Sequence, residues 1–352
     1  MINVSAIRKG WHNLVGVQRA APTLKGAAIL LLIVAAVVEV CAFIAQDFAG
    51  YDSPYHIFWI REWHKLWNAG ILYPRWLPDS YHGFGEPSFY FYTPLTFFLT
   101  NVVYAIFTNV SPEWIAKLTI LLTLFASGFT MWLYLRSKNS NTASSFLGAL
   151  LYCVAPYRFF DYSVRSALSE HVAFIFIPLV IWGMDMAMSE TNDRRTNGFF
   201  LLALSFALLL ITNLPVAVVA ALGLGIYALT SWPVLRNLCM LASAFFAAIV
   251  LAAFYWLPAY AFSSEVQLHH LWTAPSIAIS SPILSIFVGQ NVAMSLYNWL
   301  GFIAAGILFF SLWRKKRNDS KSKAILWTLG LFVVLILPYI SRELFNFVPP
   351  FT

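Results

Sequence analysis

The chain has 352 residues, 60% of them hydrophobic, 17% aromatic and 11% charged, with a mean hydropathy of +0.72. That balance excludes an ordinary soluble domain and makes lipid the solvent, so an all-α polytopic membrane protein surrounded by membrane lipids is expected. The net charge of +7 would suit nucleic acid, but the basic residues fall in loops between apolar runs, where Lys and Arg keep a loop in the cytoplasm; nucleic acid is excluded as a partner.

The first apolar run, Gly26 to Gln46, follows Arg8, Lys9, Arg19 and Lys25. It is too long for a signal-peptide core and reads as an uncleaved signal anchor. After a polar, aromatic segment come Phe89 to Phe107, Trp114 to Leu135, Ala143 to Ala155, His171 to Met188, Gly198 to Ile211, Leu214 to Leu229, Leu238 to Leu257, Trp299 to Trp313 and Ala324 to Pro338. Most approach the ~20 residues that cross a bilayer. If all crossed, the basic loops at Arg136 and Lys138 and at Arg194 and Arg195 would face outward.

Taking Phe89 to Phe107 as an interfacial helix removes the conflict, since it is short, aromatic and carries Pro94. Nine spans result, with the amino terminus in the cytoplasm. Basic residues then gather inside, with Arg314, Lys315, Lys316 and Arg317 as the densest group, while Asp52, Glu62, Asp79, Glu86, Asp161 and Glu170 lie outside. Residues 1–352 are thus one transmembrane domain with outer loops at about 47–113, 157–170 and 258–298. The pair Gly198 to Ile211 and Leu214 to Leu229 is either a hairpin or one tilted helix broken at Asn213-Leu-Pro215; only the hairpin keeps Arg195 and Arg236 both inside. Cys41, Cys153 and Cys239 have neither a disulfide nor a metal spacing and read as core filler.

The first outer loop concentrates the polar chemistry. Asp52 precedes Ser53-Pro54, which suits a helix cap; a carboxylate there could equally serve as a general base or bind a divalent cation. His56, four residues on, shares its face if the segment is helical. Trp59, Trp63 and Trp67 repeat every four residues, the stripe of a helix anchored at headgroup level. Arg75, in Tyr73-Pro-Arg-Trp76, is a candidate phosphate clamp. The glycines of His82-Gly-Phe-Gly-Glu86 lack a nucleotide-binding context and read as a tight turn.

The second outer loop carries Arg158, Asp161, Arg165 and Glu170. At helical spacing Arg158, Asp161 and Arg165 form either a salt-bridge ladder or a phosphate site with a carboxylate for a metal or acceptor. Charges this dense beside lipid are costly, which favours function. Glu39 lies within the first span and Asp185 near the cytoplasmic end of another. The third loop, with Glu265, His269, His270 and Trp272, reads as a lid or acceptor wall, and no two histidines have the spacing of a zinc site.

Asp52, Tyr73-Pro-Arg-Trp76, Gly83-Phe-Gly85, Pro87, Phe91-Tyr-Thr-Pro-Leu95, Tyr157-Arg158, Asp161, Arg165 and Glu170 resemble a bacterial membrane family labelled 6-pyruvoyl-tetrahydropterin synthase-related. More broadly, they resemble membrane glycosyltransferases of the GT-C fold class. The resemblance implies transfer of a sugar from a polyprenyl-phosphate donor to an unspecified acceptor at the outer face of a bacterial inner membrane. It also implies Asp52 as the first-loop catalytic carboxylate and Glu170 or Asp161 as the second-loop one. Arg75, Arg158 and Arg165, with His56 and Tyr92, would contact the substrate, and Asp52 and Glu170 would hold any Mg2+ or Mn2+. Longer relatives imply a distal part beyond Thr352.

Two other classes compete. A transporter or flippase of a lipid-linked substrate would use broken spans at the midplane, for which the Asn213-Pro215 break and Glu39 are the support. An inactive scaffold would leave Asp52, Asp161, Glu170 and the arginines dispersed.

Overall fold

The computed structural model describes residues 47–138, 141–231 and 235–266, with a few positions of the preceding segment. Most of the first span, Glu39, the spans at Trp299 to Trp313 and Ala324 to Pro338, and the outer loop from residue 267 onward, including His269, His270 and Trp272, lie outside the described residues. Among those described the chain is helical, without a strand; one isolated bridge pairs Leu77 with Glu86.

The elements are α1 (Ser53–Asn68), α2 (Ser88–Phe91), α3 (Leu95–Ile106), α4 (Pro112–Ser137), α5 (Thr142–Cys153), α6 (Pro156–Phe160), a π turn (Asp161–Arg165), α7 (Leu168–Ala187), α8 (Asn192–Leu210), α9 (Leu214–Ser231), α10 (Leu235–Leu251) and α11 (Ala253–Ala261). Local chemistry sets several starts. Pro112 opens α4 behind Ser111, whose Oγ accepts from Trp114 N, and Asn141 Oδ1 accepts from Ser144 N at the head of α5. By length and composition α4 and α7 can each cross a membrane. α10 and α11 qualify together, but bend by 70° at Ala252.

The segment 89–107 is not one helix. Tyr92 is extended (ψ 141°) and Pro94 disfavours a helical residue just before it, so α2 ends at Phe91 and α3 restarts at Leu95. With 12 residues, α3 is about 18 Å long, short of a bilayer's ~30 Å core, which agrees with a segment that does not cross.

The tryptophan stripe corrects its reading as a lipid anchor. Trp63 is fully buried, with ring centroids 4.6 Å from Phe89 and 5.0 Å from Phe98, while Trp59 and Trp67 pack on the same cluster from its edge. Indoles spaced every four residues serve a protein core as well as a headgroup layer, and here α3 covers them. The apolar residues of α4 complete this core.

A second core joins α7, α8 and α10 through residues such as Val180, Met184, Leu202, Phe206 and Leu241. Small residues let the backbones touch: a Cβ on Gly198 would lie 2.1 Å from Ala187 N, and one on Gly183 2.5 Å from Leu202 N. Of the cysteines, Cys153 fills a gap at half burial, whereas Cys41 and Cys239 are exposed and fill nothing.

Contacts along the helices fix their directions. At one end Asp185 accepts from Lys138 and from Tyr134 Oη (3.1 Å), and Arg195 donates to Ala187 O (3.2 Å) and Asn237 Oδ1 (3.0 Å). The starts of α4 and α7, the end of α5, residues 211–213 and the α10–α11 bend gather at the other. α8 ends beside Leu95, whose N–H donates to Ile211 O (3.0 Å), and α9 runs back until Tyr227 comes near Tyr134. The Asn213-Pro215 break is thus a reversal between antiparallel helices at one end of the bundle, the hairpin alternative, rather than a discontinuity halfway along a helix.

Candidate functional site

The chain before α1 and the segment 164–166 meet backbone to backbone. Tyr51 N donates to Val164 O (3.1 Å), Asp52 N to Arg165 O (2.9 Å) and Gly50 N to Ser166 Oγ (2.9 Å). Ser166 sits in the left-handed region at φ 56°, and its carbonyl accepts from His56 Nδ1 (3.0 Å). Gly50 is required at this seam, because a Cβ there would lie 2.5 Å from Arg165 C and 2.6 Å from Ser166 N.

A cavity of about 390 Å3 opens along the seam, lined by Asp52, Tyr55, His56, Trp59, Phe91, Tyr92, Thr93, Arg165, Glu170, Asn213, Leu214, Pro215 and Tyr255. It thus unites Asp52, His56, Tyr92, Arg165 and Glu170, five of the residues singled out in the sequence. Asp161 lies directly beneath them. Arg75 and Arg158 do not reach the cavity.

Asp52 occupies the cap position of α1 but its side chain makes no capping hydrogen bond. The carboxylate faces Arg165 instead, with Oδ2 3.8 Å from Nη2. Burial raises its pKa above the ordinary value, and Arg165 pulls partly the other way. Both alternatives for Asp52 therefore meet at one residue: its backbone begins the helix while its carboxylate stays available.

Arg165 is the hub. Nη1 lies 2.5 Å from Glu170 Oε1 and 3.4 Å from Asp161 Oδ1, and donates to Tyr157 Oη at 3.4 Å. Burial alone would lower its pKa, but Glu170, Asp161 and Tyr157 outweigh that and keep it firmly charged. Tyr157 Oη donates to Glu170 Oε2 at 2.6 Å, so both oxygens of Glu170 are engaged. Asp161 is fully buried, touches Arg165 on one side, and stands 3.6 Å from His171 Nε2 on the other. Burial and the neighbouring Glu170 push its pKa well above the carboxylate range despite Arg165. Asp161 is absent from the cavity lining and reaches it only through Arg165.

Arg158, seven residues earlier, points into the helix bundle. It is fully buried, donates from Nη1 to Ser127 Oγ (2.7 Å) on α4, and lies 4.6 Å above the Phe174 ring on α7. The π turn between α6 and Arg165 changes the angular phase of the chain, separating two arginines that a regular helix would have placed on one face. Arg75 is tied elsewhere too: Nη2 donates to Phe254 O on α11 (2.8 Å), and the guanidinium stacks on Tyr73 and Tyr90.

His56 is buried on the cavity floor. Because Ser166 O can only accept, Nδ1 carries the proton, and burial lowers the pKa to about 4; the ring is neutral near pH 7, with Nε2 as an acceptor. The Tyr92 hydroxyl lies between Nε2 (3.2 Å) and Ser169 Oγ (3.3 Å), and burial raises its pKa to about 12. The opposite wall is aromatic. Trp59 Nε1 donates to Glu86 Oε1 (2.9 Å) and Tyr255 Oη to Phe91 O (2.8 Å), so the polar tips of both rings are already engaged.

The donor set does not fit Mg2+ or Mn2+, which take a shell of about six oxygens. Among the described residues no three His, Cys, Asp or Glu side chains come together as metal ligands. Both Glu170 oxygens are already held, and the Arg165 guanidinium stands between Glu170 and Asp52 where a dication would have to sit.

Sequence reasoning missed Tyr157, Ser166 and the aromatic wall as parts of the site. Tyr157 and Trp59 stood inside the recognised patterns without a role, Asn213 was visible only as a helix break, and nothing local marked Tyr255. No family model, no curated protein and no solved structure matches the chain.

Proposed function

We propose that the chain is a membrane glycosyltransferase of the GT-C type, moving a sugar from a polyprenyl-phosphate carrier to an acceptor at the outer face of the membrane, in a bundle of nine spans. The observation that carries this reading is a cavity, at one end of membrane-length helices, in which Asp52, a carboxylate not spent on capping its helix, faces a permanently charged arginine.

The chemistry needs few parts. Asp52 takes the proton from the acceptor hydroxyl or amine as that atom bonds to the anomeric carbon with inversion. The bond from the anomeric carbon to the phosphate oxygen breaks, and polyprenyl phosphate leaves with the electron pair. Arg165 stabilises the charge growing on the phosphate, so no proton need be delivered there. Burial raises the Asp52 pKa, which makes the carboxylate a better base. Glu170, Tyr157 and Asp161 hold the guanidinium, and no step is assigned to a metal.

The transporter reading has lost its argument from the Asn213-Pro215 break, which is a turn between antiparallel helices. Scaffolding predicts dispersal of the charged residues, whereas Asp52, Arg165 and Glu170 line one cavity with Asp161 behind Arg165, and only Arg75 and Arg158 turn elsewhere. The test is a transfer assay on purified protein with radiolabelled polyprenyl-phosphate sugars, with and without EDTA. Transfer that survives EDTA and disappears in Asp52→Asn supports the reading; full activity in Asp52→Asn would sink it.

A further inference from the structure

The loop from Trp76 to Gly85 and helix α11 are not used by the proposed reaction, yet both display large aromatic groups on a stiff frame. Trp76 is 51% exposed, Tyr81 69% and Phe84 85%. The loop carrying them is closed by paired hydrogen bonds between Leu77 and Glu86 (2.9 and 3.1 Å) and by Gly85 N donating to Ser80 O (2.9 Å), and Lys65 binds Asp79 on its flank. Tyr81 and His82 hold φ of 49° and 59°, a region that strains bulky residues. A ring displayed from so braced and strained a frame is placed there by the fold.

α11 shows where such rings would lie. α10 has 17 residues, about 25 Å of helix, and at its cavity end the chain turns by 70° into α11. For a span tilted by about 20°, that bend lays α11 within about 40° of the bilayer plane. Phe254, Leu257 and Tyr260 are exposed along it. The loop is held at the same depth: Arg75 donates to Phe254 O (2.8 Å), and Gly85 passes so close beneath the adjoining Trp76 ring that a Cβ would lie 2.5 Å from it.

We infer that the Trp76–Gly85 loop and α11 form one aromatic lip seated in the headgroup layer of the leaflet on the cavity's side, with the lipid surface as its partner. The side chains match that layer. Trp and Tyr, amphipathic rings favoured at the membrane interface, predominate over aliphatic groups, and Arg61 and Lys65 stand exposed on the neighbouring face of α1. A consequence follows for the cavity, whose wall includes Tyr255 of α11: its mouth opens at the depth of lipid phosphates. The lip itself stands on the loop and the bend, independently of any reaction.

The test uses the full chain without its native cysteines (Cys41→Ser, Cys153→Ala, Cys239→Ser), labelled with an environment-sensitive fluorophore at Phe84→Cys, Tyr260→Cys or Leu257→Cys and reconstituted into phosphatidylcholine–phosphatidylglycerol vesicles. Labels on both the loop and α11 should shift to the blue and lose intensity to lipids carrying a nitroxide near the headgroup, and respond little to aqueous iodide. Iodide quenching without nitroxide quenching at Phe84→Cys, or at both α11 positions, would overturn the lip. Two α11 positions keep that arm readable if one variant fails to insert.

Discussion

Trp63 and Arg165 are both foundations of the same cavity, yet opposite forces hold them. Trp63 lies fully buried among Phe89, Phe97 and Phe98, in a core that needs only shape and apolar area. Arg165 lies within 4 Å of Asp52, Asp161 and Glu170, in a knot that needs charge balance. The aromatic region can be weakened without touching the reactive groups, whereas the charged seam cannot be altered at any member without altering the rest. Stability and activity should therefore respond separately to changes on the two sides.

Asp52→Asn is the strongest test of that separation. It keeps the volume and the backbone start of α1 but removes the proposed base, so transfer should fall by about two to four orders of magnitude while the thermal midpoint of the purified protein barely moves. A comparable loss of midpoint would mean that Asp52 is chiefly structural. Trp63→Ala should do the reverse. Removing a buried Trp costs about 3–5 kcal/mol, so the midpoint should drop sharply. Because Trp63 does not line the cavity, transfer per folded molecule at low temperature should be retained; its loss would show that the two regions are one cooperative unit.

His56 joins the two regions, with one nitrogen on Ser166 and its ring beside Phe97. Its folded pKa of about 4 lies below the ordinary 6.5, so the unfolded chain binds the proton more readily between those values. Stability contributed by burying the neutral ring is fully present above pH 6.5 and is lost as pH falls towards 4, by about 3 kcal/mol at 1.36 kcal/mol per unit. The midpoint of the native protein should fall over that window, and His56→Gln should remove this part of the fall. Identical pH profiles for the two proteins would mean that another group carries the acid sensitivity.

The sequence already disclosed the order of the apolar runs, which follows from hydropathy, and the resemblance paired the two loops that meet at the seam. It could not separate Arg158 from Arg165, since a π turn that sends one into the bundle and the other into the cavity leaves no mark on residue spacing. Nor could it tell a lipid-facing tryptophan stripe from a buried one: the period is the same, and what decides is whether α3 lies over it. Arg75 was misplaced for a related reason, its acceptor being the carbonyl of Phe254, far along the chain.

The most local perturbation of the seam is at Gly50. Gly50→Ala places a methyl group within 2.6 Å of the Arg165 and Ser166 backbone, and overpacking of this kind costs about 1–3 kcal/mol. Strain at that point is relieved by parting the seam, which draws Asp52 away from the cavity. Arg165, held from its other side by Asp161, Glu170 and Tyr157, keeps its place. The turnover number should therefore fall more than donor affinity does, with a modest loss of midpoint. An equal fall in both would mean that Arg165 moves with Asp52 and that the ion pairs behind it do not fix the guanidinium.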